Sequence, residues 1–191
     1  MKSGLVFVIM CLMTLPAMAT EKATLAGGCF WCMESPYDKL KGVMSTTVGY
    51  IGGHKANPTY EEVSTGRTGH AEAVEIVFDP KLISYTQLLD VFWKNIDPTT
   101  DNQQFADFGT QYRTAIFYHN AEQKRVAEES KKKLEKSGKF DRPIVTKIEP
   151  AATFYKAEDY HQDYYRKNAA HYKLYYRGSG REAYVKKQSG N

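Results

Sequence analysis

Cysteine is scarce in this chain: of 191 residues only three are cysteine, Cys11, Cys29 and Cys32. With Cys11 inside an N-terminal apolar run, Cys29 and Cys32 form the one close pair, and no second pair stands ready to complete a four-ligand zinc site. His54, His70, His119, His161 and His171 show no ligand-like spacing, so no metal is expected, and no cofactor is called for. A dense basic stripe with interleaved aromatics is also missing. The formal charge of +4 comes from scattered residues such as Lys131-Lys132-Lys133, which argues against a nucleic-acid partner. Beyond residue 19 no stretch is apolar enough to cross a membrane. There is no internal repeat, low-complexity tract or break in composition, so residues 20–191 read as a single domain, large enough to bury a core without help from disulfides.

The beginning of the chain reads differently. Lys2 precedes an apolar run from Leu5 to Leu15, followed by Pro16 and Ala17-Met18-Ala19. A basic start, a short apolar stretch and an A-x-A site make a secretory signal peptide, with cleavage expected after Ala19. Cys11, preceded by Met10 rather than a small residue, reads as part of this leader rather than as a lipid attachment site. The expectation is an exported protein, periplasmic or secreted, monomeric and off the membrane once the leader is removed.

The pattern of the remaining chain is mixed. Strands are expected at 23–26, 43–50, 71–78, 113–118 and 143–148, and helices at about 29–39, 84–94 and 120–136. The second helix has the clearest signature: Ser84 and Gln87 form a capping box, and Tyr85, Leu88, Leu89, Phe92 and Trp93 fall on one stripe. In the third, Glu128–Lys132 and Glu129–Lys133 have the spacing of helix ion pairs. Two long segments, 52–69 and 97–110, read as irregular, and long irregular segments are usually functional or disordered. From Ala157 onward the chain is polar, tyrosine-rich and weakly patterned. The fold class is α+β, a mixed sheet with helices packed on it.

The cysteine pair sits where a strand ends and a helix begins. Gly27-Gly28 permits a tight turn. Free N–H groups at a helix N-terminus favour a thiolate, so Cys29 is the expected nucleophile, its pKa lowered. Cys32, one turn on, lies within reach as a resolving thiol. A structural staple is the blander reading, but so short a loop constrains the unfolded chain little. A general thiol–disulfide exchanger also fits the spacing, although it has little use for Phe30 and Trp31 between its sulfurs. Those two rings either line a small apolar pocket or fill the core. In the strand 71–78, Glu72 shares a face with Val74, Ile76 and Phe78. It is either a carboxyl kept protonated by an apolar setting, able to act as a general acid, or an ordinary exposed strand-end glutamate.

Gly28-Cys29-Phe30-Trp31-Cys32 resembles the signature of the A-type methionine sulfoxide reductases (peptide-methionine (S)-S-oxide reductases, the MsrA family). Further blocks resemble the family in family order: Val48-Gly49-Tyr50 with Gly53, Asn57-Pro58-Thr59-Tyr60, Gly69-His70-Ala71-Glu72, Gly109-Thr110-Gln111-Tyr112-Arg113 and Ala157-Glu158-Asp159-Tyr160-His161-Gln162. The resemblance implies a two-layer, ferredoxin-like β-α-β core wrapped by long coils. It also implies Cys29 as catalytic nucleophile, Phe30 and Trp31 as walls for the sulfoxide methyl, and Glu72 as proton donor. Tyr60 and Tyr112 would be hydroxyls near the sulfoxide oxygen, and Asp107 a polar group beside the substrate. The implied activity is reduction of methionine-S-sulfoxide, free or in oxidised proteins, with a thioredoxin-like reductant recycling the enzyme. Many relatives resolve with a cysteine in a glycine-rich C-terminal tail. Here Tyr175-Tyr176-Arg177-Gly178-Ser179-Gly180 holds none, which leaves Cys32.

Overall fold

Runs of β-branched and small apolar residues build the sheet in a computed structural model that describes residues 20–190; the expected leader and Cys11 lie outside the described residues. The strands and helices, in chain order, are β1 (Glu21–Gly27), α1 (Phe30–Tyr37), β2 (Val43–Ile51), α2 (Tyr60–Ser64), β3 (Ala71–Phe78), α3 (Tyr85–Asn95), β4 (Gln103–Gln104), β5 (Asp107–Phe108), β6 (Thr114–Tyr118), α4 (Ala121–Lys136), β7 (Lys147–Pro150), β8 (Tyr155–Lys156), α5 (Tyr164–Lys167), α6 (Ala169–Gly178) and α7 (Arg181–Gln188). Six strands form one sheet in the order β7-β6-β1-β3-β2-β8. β3 lies antiparallel between β1 and β2, and β6 is antiparallel to the other side of β1. With α1 crossing from β1 to β2 and α3 following β3, the central order β6-β1-β3-β2 is the split β-α-β arrangement of a ferredoxin-like core.

The sheet alternates as period-two strands must. One face, carrying Leu25, Val74, Ile76, Phe78 and Ile116, packs against Met33 and Tyr37 of α1, the α3 stripe and Ala127 of α4. The stripe Tyr85, Leu88, Leu89, Phe92 and Trp93 is buried throughout, and the Ser84–Gln87 capping box is formed in both directions. The other face is thinner: Ala26, Ala71, Ala73, Ala115 and Phe117 are covered by coil bearing Ala151 and Phe154. The result is two layers, helices on one side of a mixed sheet, the α+β class.

Several boundaries move. The first helix begins at Phe30 and ends at Tyr37, with Cys29 as its N-cap. The last long strand is Lys147–Pro150 rather than 143–148, paired in parallel with β6; Val145 N–H instead donates to the Pro98 carbonyl (2.8 Å). The stretch 52–69 contains the short helix α2, closed by a Thr59–Glu62 capping box, and 97–110 holds the β4–β5 hairpin. On α4 the ion pairs are Arg125 with Glu122 and Glu129, and Lys124 with Glu128; Lys124 takes Glu128 and Arg125 takes Glu129, in place of the expected Glu128–Lys132 and Glu129–Lys133 pairs. The weakly patterned C-terminal segment folds into three helices, α5 to α7.

Tertiary packing traps one carboxyl in the first helix. Glu34 is buried, with one oxygen accepting from Asp163 N–H (3.2 Å) and the other without a partner. Burial pushes its pKa up to about 7, with Asp163 and Asp38 adding to the rise against that N–H bond. A raised acid binds its proton more tightly folded than unfolded. Its contribution to stability is therefore complete below the ordinary value near 4.5 and lost as pH climbs through about 7. In urea titrations at pH 5 and pH 8, the wild type is expected to lose about 2–3 kcal/mol more than Glu34→Gln between the two pH values. Equal losses would contradict this reading.

Candidate active site

The site is built where the end of β1 meets the start of α1. Gly28 turns the chain at φ +83°, and a Cβ there would stand 2.5 Å from Gln104 Cβ and 2.7 Å from Arg181 Nη2. Only glycine meets both conditions, and this turn sets Cys29 at the helix N-cap, where its carbonyl accepts from Cys32 N–H (3.0 Å). Both sulfurs are reduced and buried.

Glu72 lies on the sheet face that α1 covers, in one row with Val74, Ile76 and Phe78, all buried. Its Oε2 accepts the Phe30 N–H (3.0 Å), so the first free amide of the helix is spent on this carboxyl. Burial pushes Glu72 well above the usual carboxylate range; Cys29 and Asp107 push it further, and only the Phe30 N–H pulls it down. That environment favours its protonated form. The open alternative of an exposed strand-end glutamate is thereby removed, because both faces of β3 are covered at this end.

Cys29 does not follow the expectation of a lowered pKa. Burial pushes its thiol well up, the contact with Cys32 and the charge of Asp107 add to this, and the Tyr175 hydroxyl opposes it. Desolvation outweighs the helix N-terminus. Burial acts the same way on Cys32, but the Cys29 thiol and the Arg181 cation overcome it and hold Cys32 below the ordinary value. Of the two thiols, Cys32 is therefore the more readily ionised.

The aromatic walls are assembled from distant parts of the chain. Phe30 is fully buried against His161 (ring centroids 4.9 Å apart) and Tyr50 (5.9 Å). Trp31 is half-buried, stacked on Tyr164 at 3.8 Å and met edge-on by Tyr175 at 6.0 Å. Its indole N–H donates to His161 Nδ1 (3.1 Å), which fixes the tautomer with the proton on Nε2. Tyr60 packs on the same imidazole at 4.4 Å. Its backbone N–H donates to Glu158, which also takes the Tyr50 hydroxyl, each at 2.8 Å. Tyr112, at the end of a 3-10 turn (Thr110–Tyr112), and Tyr60 both feel the charges of Glu72 and Cys29, and burial raises both phenols. Asp107, on β5, accepts from the Tyr175 hydroxyl (2.5 Å). All eight residues singled out in the sequence thus gather around one corner of the sheet. A surface hollow of about 600 Å³ along α4 and β7 lies elsewhere and holds neither cysteine.

Comparison with known proteins decides the family. The model for peptide methionine sulfoxide reductases matches residues 21–191. The chain belongs to the peptide methionine sulfoxide reductase family. Peptide methionine sulfoxide reductase MsrA 2 of Staphylococcus aureus is 52% identical over 174 residues, covering 91% of this chain and 98% of that protein. The MsrA of Bacillus pumilus is 55% identical over 165 residues, 86% and 93% of the two chains. Among solved structures, reduced Mxr1 of Saccharomyces cerevisiae matches with a TM-score of 0.75 at 36% identity, covering 81% of this chain and 88% of its own. Mxr1 solved in complex with Trx2 matches at a TM-score of 0.55 and 27% identity, covering 81% and 91%. A methionine sulfoxide reductase accounts for the aromatic walls and the protonated carboxyl, which a general thiol–disulfide exchanger does not.

Sequence reading missed four residues at this reductase site: Tyr164, Tyr175 and Arg181, which had no pattern to mark them, and His161, quoted only as part of a block. His161 carried one available signal, a histidine flanked by Glu158 and three tyrosines, Tyr160, Tyr164 and Tyr165.

Proposed function

We propose that this methionine sulfoxide reductase acts on methionine-S-sulfoxide, free or in oxidised proteins, with Cys29 as nucleophile and Cys32 as resolving thiol. The observation that carries this is Glu72, a buried carboxylic acid hydrogen-bonded to the amide that follows Cys29. The sulfoxide methyl lies against Phe30 and Trp31, with the oxygen toward Glu72 and the Tyr60 and Tyr112 hydroxyls; Asp107 contacts the rest of the substrate.

Cys29 sulfur attacks the sulfoxide sulfur as its thiol proton passes to Cys32, and Glu72 gives its proton to the oxygen. The sulfoxide S–O bond breaks as the oxygen passes, as hydroxyl, to Cys29 sulfur; the transient S–S bond to the substrate opens, methionine leaves, and Cys29 holds a sulfenic acid. Cys32, having given the thiol proton up to solvent, then attacks Cys29 sulfur as a thiolate; the sulfenic hydroxyl takes a proton and leaves as water, and a Cys29–Cys32 disulfide remains. A dithiol donor of thioredoxin type reduces it by exchange, in keeping with the Trx2 complex of yeast Mxr1. The leader-like residues 1–19 support export, so this donor is an extracytoplasmic one, and the working protein is residues 20–191, a monomer used in the repair of oxidised proteins.

The test is Cys32→Ser, incubated with methionine-S-sulfoxide and no reductant. The expected result is about one methionine per enzyme, loss of one thiol and a sulfenic acid trapped by dimedone. A variant that forms no methionine while the wild type does would reverse the two cysteine roles. No methionine from either would sink the proposal.

A further inference from the structure

Arg181 is among the most deeply buried side chains of the molecule, 1% exposed, although arginine is almost never buried without a charged partner. Among the described residues no carboxylate lies within salt-bridge distance of it. Nη1 donates to the Asn95 carbonyl (2.9 Å) and contacts Met33 Sδ (3.4 Å), and Nη2 donates to the Gly27 carbonyl (2.8 Å). Its face lies over the Phe105 ring at 4.7 Å. Carbonyls and a ring solvate a guanidinium without neutralising it, and a buried cation left so costs several kcal/mol. These contacts hold it against the two glycines before Cys29 and the residue after Cys32, and Cys32 feels its charge, as do Asp107, Tyr172 and Tyr176.

We infer that Arg181, a buried cation held at the turn that carries the cysteine pair, is the positioning residue that favours negative charge on Cys32 and thereby speeds closure of the Cys29–Cys32 disulfide. The inference rests on the cysteine roles proposed above. Every other ionisable group facing Cys32 works against the thiolate or is neutral. Asp107 from β5 and Glu72 from β3 disfavour negative charge there. Tyr172, Tyr175 and Tyr176 from α6 are phenols raised by burial. Cys29 alone helps, by donating its S–H, and that help ends once Cys29 is a sulfenic acid. From then on Arg181 is, among the described residues, the one cation acting on the attacking sulfur. In that step the thiolate electron pair forms the S–S bond, and the sulfenic hydroxide leaves as water after taking a proton from the solvent or from a reprotonated Glu72.

The test reads the thiolate itself. In a Cys29→Ser background, absorbance at 240 nm gives the Cys32 midpoint, independent of turnover. It is expected below the ordinary thiol value of about 8.5, and Arg181→Met is expected to raise it by at least about one pH unit while Arg181→Lys restores most of the difference. With both cysteines present, Arg181→Met is expected to form about one methionine per enzyme yet close the disulfide about three- to ten-fold more slowly at pH 7, less than the thiolate fraction alone predicts because a more basic thiolate is a better nucleophile. A midpoint at or above about 8.5 with Arg181 intact overturns the inference, even if the methionine variant fails to fold. So does a midpoint that Arg181→Met leaves in place. Failure of the Cys32→Ser experiment would be a separate result, striking the cysteine roles rather than the charge.

Discussion

Cys29→Ser is expected to remove methionine formation almost entirely, by about 10⁴-fold or more, with dithiothreitol in excess. The substitution changes little in shape, so the helix cap and the Phe30–Glu72 hydrogen bond persist. What it removes is the only sulfur that lies beside Glu72, Tyr60 and Tyr112 at once. A serine hydroxyl in the same desolvated setting has no base strong enough to activate it, because the one candidate base, Cys32, is poised for a thiol proton. Methionine measured by chromatography over hours, alongside near-ultraviolet circular dichroism to show a native fold, gives the answer. Residual turnover above about one part in a hundred would mean that Cys32 attacks directly and that the charge on it serves that purpose.

Glu72→Gln is the second large effect, a fall of about 10²–10⁴ in kcat/KM. Glutamine keeps an oxygen for the Phe30 N–H, and so isolates the proton from the structure around it. Glu72→Ala would not, since it also leaves a buried amide unsatisfied. The pH profile separates acid catalysis from simple polarity. A general acid works only while it holds its proton, so wild-type activity should persist through neutrality and decline as pH rises past the raised Glu72 value. The glutamine variant should lose that declining limb. An unchanged limb would assign it to another group, with Tyr112 the first to examine. A fall of less than about ten-fold would reduce Glu72 to a structural partner of the helix N-terminus.

Much of this was legible in the sequence, for identifiable reasons. α3 announced itself because its stripe is apolar, its cap is reciprocal and nothing in the fold contradicts either. The face of Glu72 followed from period two alone. Its protonation did not, because that depends on α1 lying across the strand end, a contact between residues 42 apart. The same limit reversed the reading of Cys29: a helix N-terminus can be seen in a sequence, whereas the desolvation that outweighs it is tertiary. The C-terminal segment was opaque for another reason. α6 has no fully buried residue, since its tyrosines border the site and remain partly exposed. No apolar period marks such a helix. Arg181 looks like any surface arginine until Gly27 and Asn95 are placed around it. The family blocks reached as far as Gln162, and the residues that complete the site lie partly beyond them.

The bond between the Gly27 carbonyl and Arg181 joins positions 154 residues apart. On a ribosome, the strand that ends at Gly27 emerges among the first parts of the domain and waits for nearly all the rest. Contacts of such long separation close late. A nascent chain lacking its last helix already carries the nucleophile, the acid and the ring walls. Its two thiols, however, have neither the cation that orders their charge nor the helices that shield them from stray oxidant. The cysteine pair therefore gains its full surroundings only when α7 docks against the end of β1.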